Sequence, residues 1–307
     1  MTGVQTCALP IYPARPIRIL VGFQPSGGSD IMARAAGQKL AKRWNAPVVT
    51  DNRPGAGGTI AMEIARKAAP DGYTLLVISG SLVTNATLVT RVPYDLRTVF
   101  APITQLTSQP YVLLAHPSVP AKTVRELIAY AKANSDKLNY ASSGTGSSAH
   151  LGMELFRSMT QTKMEHIPYK GSGPALIDLL GGQVQLLLAS AISSAPHLNS
   201  GKLRALGVTS GKRSPNLPQL PTIAEAGVPG YDVTGWYGLV APAGTAAAIV
   251  RKLSSELGRA MHTPEVMEKL AADGTEALTG TPEEFRATIT KEIDKWAQLV
   301  KTTGLKL

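Results

Sequence analysis

Residues 17–40, IRILVGFQPSGGSDIMARAAGQKL, decide the fold. The apolar run IRILVGF stops at Pro25-Ser26-Gly27-Gly28, and a helical pattern opens near Asp30. Such a run predicts a buried strand. Ile31, Ala35, Ala36, Leu40 and Trp44 then recur at helical spacing, which predicts a helix burying that stripe. Glycines between a strand and a helix N-terminus let something approach the backbone closely. The loop has no lysine and matches no nucleotide-binding pattern.

The same alternation extends outward. PVVTDN predicts a short strand. GAGGTIAMEIARKAA predicts a glycine loop entering a helix with Ile60, Ile64 and Ala68 on one face, and YTLLVIS another strand. The order β-α-β-α-β favours a parallel sheet with right-handed crossovers. PITQLTSQPYVLLAHP breaks the rhythm with two apolar runs around Gln109-Pro110 and reads as a chain crossing between lobes. A helix follows with a Thr123–Glu126 capping box and apolar Val124, Leu127, Ile128 and Ala131. A second alternating series runs from LNYASSG to LRALGVT, and WYGLVAP reads as the return crossing. The end of the chain is helical: Thr263-Pro264-Glu265 and Thr281-Pro282-Glu283-Glu284 each give a cap, a first-turn proline and acid.

The chain has 307 residues, 44% hydrophobic and 17% charged, enough for two domains of ordinary size. Its 31 Lys and Arg against 21 Asp and Glu give a net charge of +10. No run of four or more of these basic residues occurs and aromatics are few, which argues against nucleic acid and fits a diffuse field that favours a small anion. No apolar stretch reaches the roughly 18 residues of a membrane span. Residues 3–11, GVQTCALPI, are an in-frame translation of GGAGTTCAGACGTGTGCTCTTCCGATC, a DNA sequencing adapter. Residues 1–11 are therefore expected to be an assembly artefact, with any signal peptide lost upstream. The only cysteine, Cys7, falls inside it. A cysteine-free remainder suits an oxidising compartment.

Three glycine-rich turns sit between strands and helices, at 24–30, 52–59 and 142–150, and a fourth spans 170–174. Free N–H groups at a helix start, with the helix dipole behind them, make an anion site. Ser26, Ser29, Ser142, Ser143, Thr145, Ser147 and Ser148 add neutral donors. Any one loop is equally a plain turn before a capped helix, and Asp30 equally a helix cap. Four loops in two lobes point to a binding cleft for a carboxylate or a phosphate. Catalytic patterns are missing: GAGGTI has Ile60 where a dinucleotide fingerprint needs its third glycine, and there is no phosphate-loop lysine and no nucleophile elbow. His150 and Glu154 stand four apart without a third metal ligand. Tyr169, Trp236 and Tyr237 are core aromatics or pocket walls. No catalytic residue, metal or cofactor is expected.

Seven stretches in order carry a family resemblance: YPARPIRILVGFQPSGGSD, VVTDNRPGAGGTIAMEIARKAAPDGYTLL, VPYD with FAPIT, HPSVPAKTVRELIAYAK, YASSGTGSSAHLGMELF, HIPYKGSGPALIDLLGGQV and LPTIAEAGVPGYDVTGWYGLVAPAGT. From Tyr12 to Leu307 the chain resembles the extracytoplasmic receptors of tripartite tricarboxylate transporters, the Bordetella uptake gene (Bug) family. The resemblance implies an α/β, two-lobed type II periplasmic-binding-protein fold. Each lobe would be a mostly parallel sheet flanked by helices, and two crossing segments would join them. Residues 12–104 plus 235–307 would form one lobe and 105–234 the other. It also implies a periplasmic monomer that traps a small carboxylate between lobes and delivers it to the membrane permease subunits. Alternatives are a ligand sensor for a membrane signalling partner, or an enzyme of similar bilobal shape.

The family grips its carboxylate with backbone amides and small hydroxyls. Position by position, that implies Phe23, Gln24, Ser26, Gly27, Gly28 and Asp30 in one lobe. In the other it implies Ser142, Gly144, Thr145, Gly146, Ser147 and His150. Gly57, Thr59, Ser79, Ser81 and Tyr169 would be secondary wall positions. Where the family commonly reads Phe-Pro-Pro-Gly-Gly, this chain has Phe23-Gln24-Pro25-Ser26-Gly27-Gly28, which adds two polar groups.

Overall fold

A computed structural model describes residues 12–25, 28–89, 91–134, 137–169, 172–272 and 274–305. The adapter-like residues 1–11, Ser26 and Gly27 of the first loop, and Lys170 and Gly171 of the fourth lie outside the described residues. Strand β1 (Ile17–Val21) runs parallel to β2 (Val48–Asn52) on one side and β3 (Thr74–Ser79) on the other. Ile17, Ile19, Leu20 and Val21 are fully buried, because helices cover both faces of such a sheet.

Helices α1 (Gly28–Trp44) and α2 (Thr59–Arg66) form where expected and bury part of the expected stripe, Ala36 and Leu40 among it, with Trp44 and Ile64 packed against the cores. Beyond the first residues of each helix, the buried positions are Met32, Ala33, Ala36, Gly37 and Leu40 in α1 and Ala61, Met62 and Ala65 in α2. Ile31 and Ile60 stand 47% and 45% exposed. Close packing on the sheet selects small side chains: a Cβ on Gly37 would stand 3.2 Å from Val48 Cγ1. The apolar periodicity alone therefore misplaces Ile31 and Ile60.

β3 runs directly into α3 (Gly80–Thr84), which continues as a π-helical stretch, Asn85–Val89. After α4 (Leu96–Val99) comes β4 (Phe100–Ala115), the long crossing strand. From Phe100 to Pro110 it pairs antiparallel with β9 (Thr234–Pro242). From Tyr111 to Ala115 it pairs antiparallel with β7 (Leu186–Ser190), and from Val112 with β8 (Arg204–Val208). The pairing thus changes hands between Pro110 and Tyr111. The second half repeats the first in outline. β5 (Asn139–Ser142) lies parallel to β6 (Glu165–Pro168) and to β7, with α5 (Val124–Ala133), α6 (Ser148–Thr160), α7 (Ser172–Leu180) and α8 (Ala191–Asn199) between strands. The sheet order is β2-β1-β3-β9-β4-β7-β5-β6. The result is a two-lobed α/β fold whose parallel sheets are bridged by antiparallel crossing strands.

The chain ends in α9 (Ala247–Met261), α10 (Pro264–Ala272), β10 (Glu276–Ala277) and α11 (Pro282–Thr303). Thr281 and Glu284 form the expected capping box of α11. Pro264 opens α10, but Thr263 turns its hydroxyl back to the Ala260 carbonyl, 3.0 Å away. Helix α11 spans both halves. Phe285, Ile289 and Ile293 pack in a core of the first half, while Trp296 and Leu299 pack in the core of the second.

Candidate functional site

A cavity of about 240 Å³ lies where the two halves meet. The first half contributes Phe23, then Gly28 and Ser29 at the start of α1. It also contributes Ser79, Gly80 and Ser81 at the start of α3. The crossing strands form the rest of the wall, with Gln109 and Tyr111 from β4 and Gly235, Trp236 and Tyr237 from β9. Ser148, the first residue of α6, comes from the second half. Among the described residues, no charged side chain lines it.

First residues of three helices, α1, α3 and α6, lie in this wall, and a helix start carries the positive end of the helix dipole. Ser79 caps α3, its Oγ accepting the Leu82 N–H at 3.2 Å. Ser81 Oγ and Ser148 Oγ lie 2.9 Å apart, a hydroxyl–hydroxyl bond between the halves. Glycine is required where the aromatics pack on backbone. A Cβ on Gly28 would overlap the Tyr237 hydroxyl, and one on Gly235 would stand 2.8 Å from the Tyr111 hydroxyl. Burial, helped by the nearby Tyr111, pushes the Tyr237 hydroxyl up to about 12. Burial likewise raises Tyr111, with the Glu292 carboxylate adding to it and a hydrogen bond with Ser148 opposing it. Both hydroxyls stay neutral at ordinary pH.

Phe23, Gly28, Ser79 and Ser81 line the cavity. Gln24 is exposed beside its loop. Asp30 is buried as a brace: Asn52 Nδ2 donates to Asp30 Oδ1 and to the Phe23 carbonyl, each at 3.0 Å, and Arg34 Nε donates to Asp30 Oδ2 at 2.9 Å. Thr59 donates its hydroxyl to the Ala56 carbonyl at 2.8 Å, and Gly57 lies against Asn85. Neither lines the cavity. Ser142, Gly144, Thr145, Gly146, Ser147 and His150 form one connected turn beneath Ser148 but contribute no cavity wall themselves. Tyr169 donates its hydroxyl to Asp178 Oδ2 at 2.6 Å, and burial followed by that carboxylate pushes it up to about 12.

Ser29, Ser148, Trp236 and Tyr237 carry signals legible in the sequence as small donors or aromatics. Gln109, Tyr111, Gly235 and Gly80 do not stand out in it. The one usable signal is strand alternation: Gln109 and Tyr111, like Gly235 and Tyr237, are two apart and share a face.

Behind the second-half turn, His150 and His166 stack with centroids 3.8 Å apart and planes 13° from parallel. Burial, with Arg157 nearby, lowers His150 from the ordinary 6.5 to about 4. Burial and the neighbouring His150 lower His166 likewise. The unfolded chain therefore takes up these protons near pH 6.5 while the folded chain refuses them until about pH 4. Their contribution to stability is complete above pH 6.5 and is lost as pH falls toward 4. A urea midpoint measured at pH 7.5 and at pH 5 should be lower at pH 5. The drop should shrink when His166 is replaced by Gln. An equal drop in that variant would assign the pH dependence elsewhere.

Comparison with known proteins places this geometry. Residues 32–305 match the family model described as "Tripartite tricarboxylate transporter family receptor". The chain is 39% identical to Protein BugT of Bordetella pertussis over 96% of its own length and 91% of that protein. Among solved structures, Rpa4515 of R. palustris, determined with adipate, superposes with a TM-score of 0.81 at 36% identity, over 95% of this chain and 98% of that one. MatC from Rhodopseudomonas palustris, with bound malate, gives 0.77 at 33% identity, over 94% and 100%. Among the described residues, no cluster of metal-ligating side chains occurs, and no helix is long and apolar enough to cross a membrane.

Proposed function

The chain belongs to the tripartite tricarboxylate transporter family of solute-binding receptors, and on that premise we propose that it captures a small carboxylate in the cavity between its halves. It then delivers that acid, outside the cytoplasmic membrane, to the permease subunits of such a transporter. The observation that carries this is a cavity shared by both halves, without a charged wall residue among those described, and lined by the first residues of three helices. Backbone amides and hydroxyls hydrogen-bond a carboxylate strongly once closure excludes water. Ser81 and Ser148 meet across the halves, as a clasp around an enclosed ligand would.

The cavity also speaks to which acids fit. At about 240 Å³ the cavity suits a small acid. The adipate and malate held by two relatives are acids of that kind without an amine. An ammonium group here would face helix N-termini of its own sign and find no anionic partner among the described wall residues. Calorimetric titration should therefore favour an acid over its α-amino counterpart by tenfold or more. Uptake into vesicles carrying the permease should require added receptor. Binding without receptor-dependent uptake would favour a sensing role. Tighter binding of the amino acid would overturn the assignment of the wall chemistry.

A further inference from the structure

His150 and His166 hold both ends of the turn that carries the second half to the cavity. The Gly146 N–H donates to His150 Nδ1 at 3.1 Å, which puts the imidazole proton on Nε2. The His150 backbone N–H donates to Ser147 Oγ at 3.2 Å, capping α6. His166 Nε2 lies 2.7 Å from Ser142 Oγ, and that oxygen accepts the Gly144 N–H at 3.1 Å. Tyr140 of β5 stacks on His166 at 5.0 Å. Tyr140 also donates its hydroxyl to Glu154, which pairs with Arg157 on α6. His150 is 2% exposed and lines no part of the cavity.

The turn they hold makes two contacts with the opposite half. Ser148 reaches Ser81, and Gly146 passes so close to Val89 that a Cβ there would stand 2.8 Å from Val89 Cγ2. A small shift of the Gly146 amide would therefore move Ser148 away from the cavity.

We propose that His150 is a positioning residue for the ligand site: its Nδ1 lone pair, backed by the stacked His166, sets the Gly146 amide and thereby the placement of Ser148. His150 does not touch the ligand. The proposal rests on the cavity being the ligand site. An acceptor is needed at the Nδ1 position only. Asparagine puts its Oδ1 there, whereas glutamine puts its acceptor near Nε2.

The test compares H150N and H150Q with the unaltered chain. In ligand-free protein, the Gly146 amide should exchange at least tenfold faster in H150Q and stay protected in H150N. With adipate and malate as probes, H150Q should bind about tenfold more weakly, the effect of one lost hydrogen bond, and H150N within about threefold of the unaltered chain. A histidine that served only packing would lower the melting temperature in both variants, with no recovery by asparagine. A Gly146 amide equally protected in H150Q would overturn the proposal. So would exchange that speeds up while acid affinity stays unchanged. If the unaltered chain bound no acid while the amide responded as expected, the positioning role would stand and the functional assignment would fall.

Discussion

Replacing Ser148 by Asp should weaken ligand binding about a hundredfold and leave the fold intact. Ser148 is the first residue of α6, behind the Ser147 cap, where a carboxylate is favoured by the helix dipole. The variant should thus melt at or above the temperature of the unaltered chain. In the cavity, however, the new carboxylate would occupy the space of a hydroxyl that meets Ser81. A ligand carboxylate would then face a like charge about 5 Å away. At an effective dielectric constant of about 20 that repulsion is roughly 3 kcal/mol, a loss of affinity of about a hundredfold. S148N, nearly the same shape without the charge, separates repulsion from crowding and should lose tenfold or less. Equal losses in the two variants would mean that no anion sits near Ser148.

The largest loss of stability is expected from Trp296→Ala. Trp296 is 2% exposed, and its indole N–H donates to Glu292 Oε1 at 2.5 Å. Lys295 Nζ lies 4.3 Å from its ring centroid. Truncating a buried tryptophan costs about 3–5 kcal/mol, and here it also removes a donor from a buried carboxylate. In a chain of this size the melting temperature should fall by roughly 5–8 °C. Trp296 is where α11 enters the core of the second half, whereas Phe285, Ile289 and Ile293 hold it to the first. The variant should therefore also loosen the last turns of α11, detectable as faster amide exchange after residue 296. A loss under 1 kcal/mol would show that the helix end is not anchored there.

The elements were legible wherever one physical signal dominated. Largely apolar runs marked β1 and β3, and the glycine-rich turns marked the starts of α1, α2 and α6. Thr281 and Glu284 announced α11. What periodicity could not give was the packing partner. Ile31 and Ile60 look like core residues, yet α1 and α2 bury neighbouring alanines because close approach to the sheet favours small side chains. Nor does anything local place the end of α11 against the second half. The stretch around Gln109-Pro110 reads as a crossing, and β4 runs through it and changes partners at Tyr111.

The candidate site divides in the same way. Small donors before helices could be read, so Gly28, Ser29, Ser79, Ser81 and Ser148 carry visible signals. Which members of a turn face the cavity and which support it depends on how the halves meet. Gly144 to Ser147 lie in a turn that rests on His150 and His166 and brings Ser148 to the cavity. Gln109 and Tyr111 belong to a crossing strand, and only the fold makes that strand part of the wall.

The most direct measurement is a thermal-shift screen of the chain against several dozen small carboxylic acids, each paired with its amide. An acid present at about 100 times its Kd should add roughly 2.7 kcal/mol of stability, a rise of about 4 °C in a chain of this size. Its amide should add almost nothing, because the helix N-termini select the charge. A stabilising acid with a silent amide is the result expected of a carboxylate receptor. Acid and amide stabilising equally, or no acid stabilising a chain shown by mass spectrometry to hold no co-purified ligand, would contradict it.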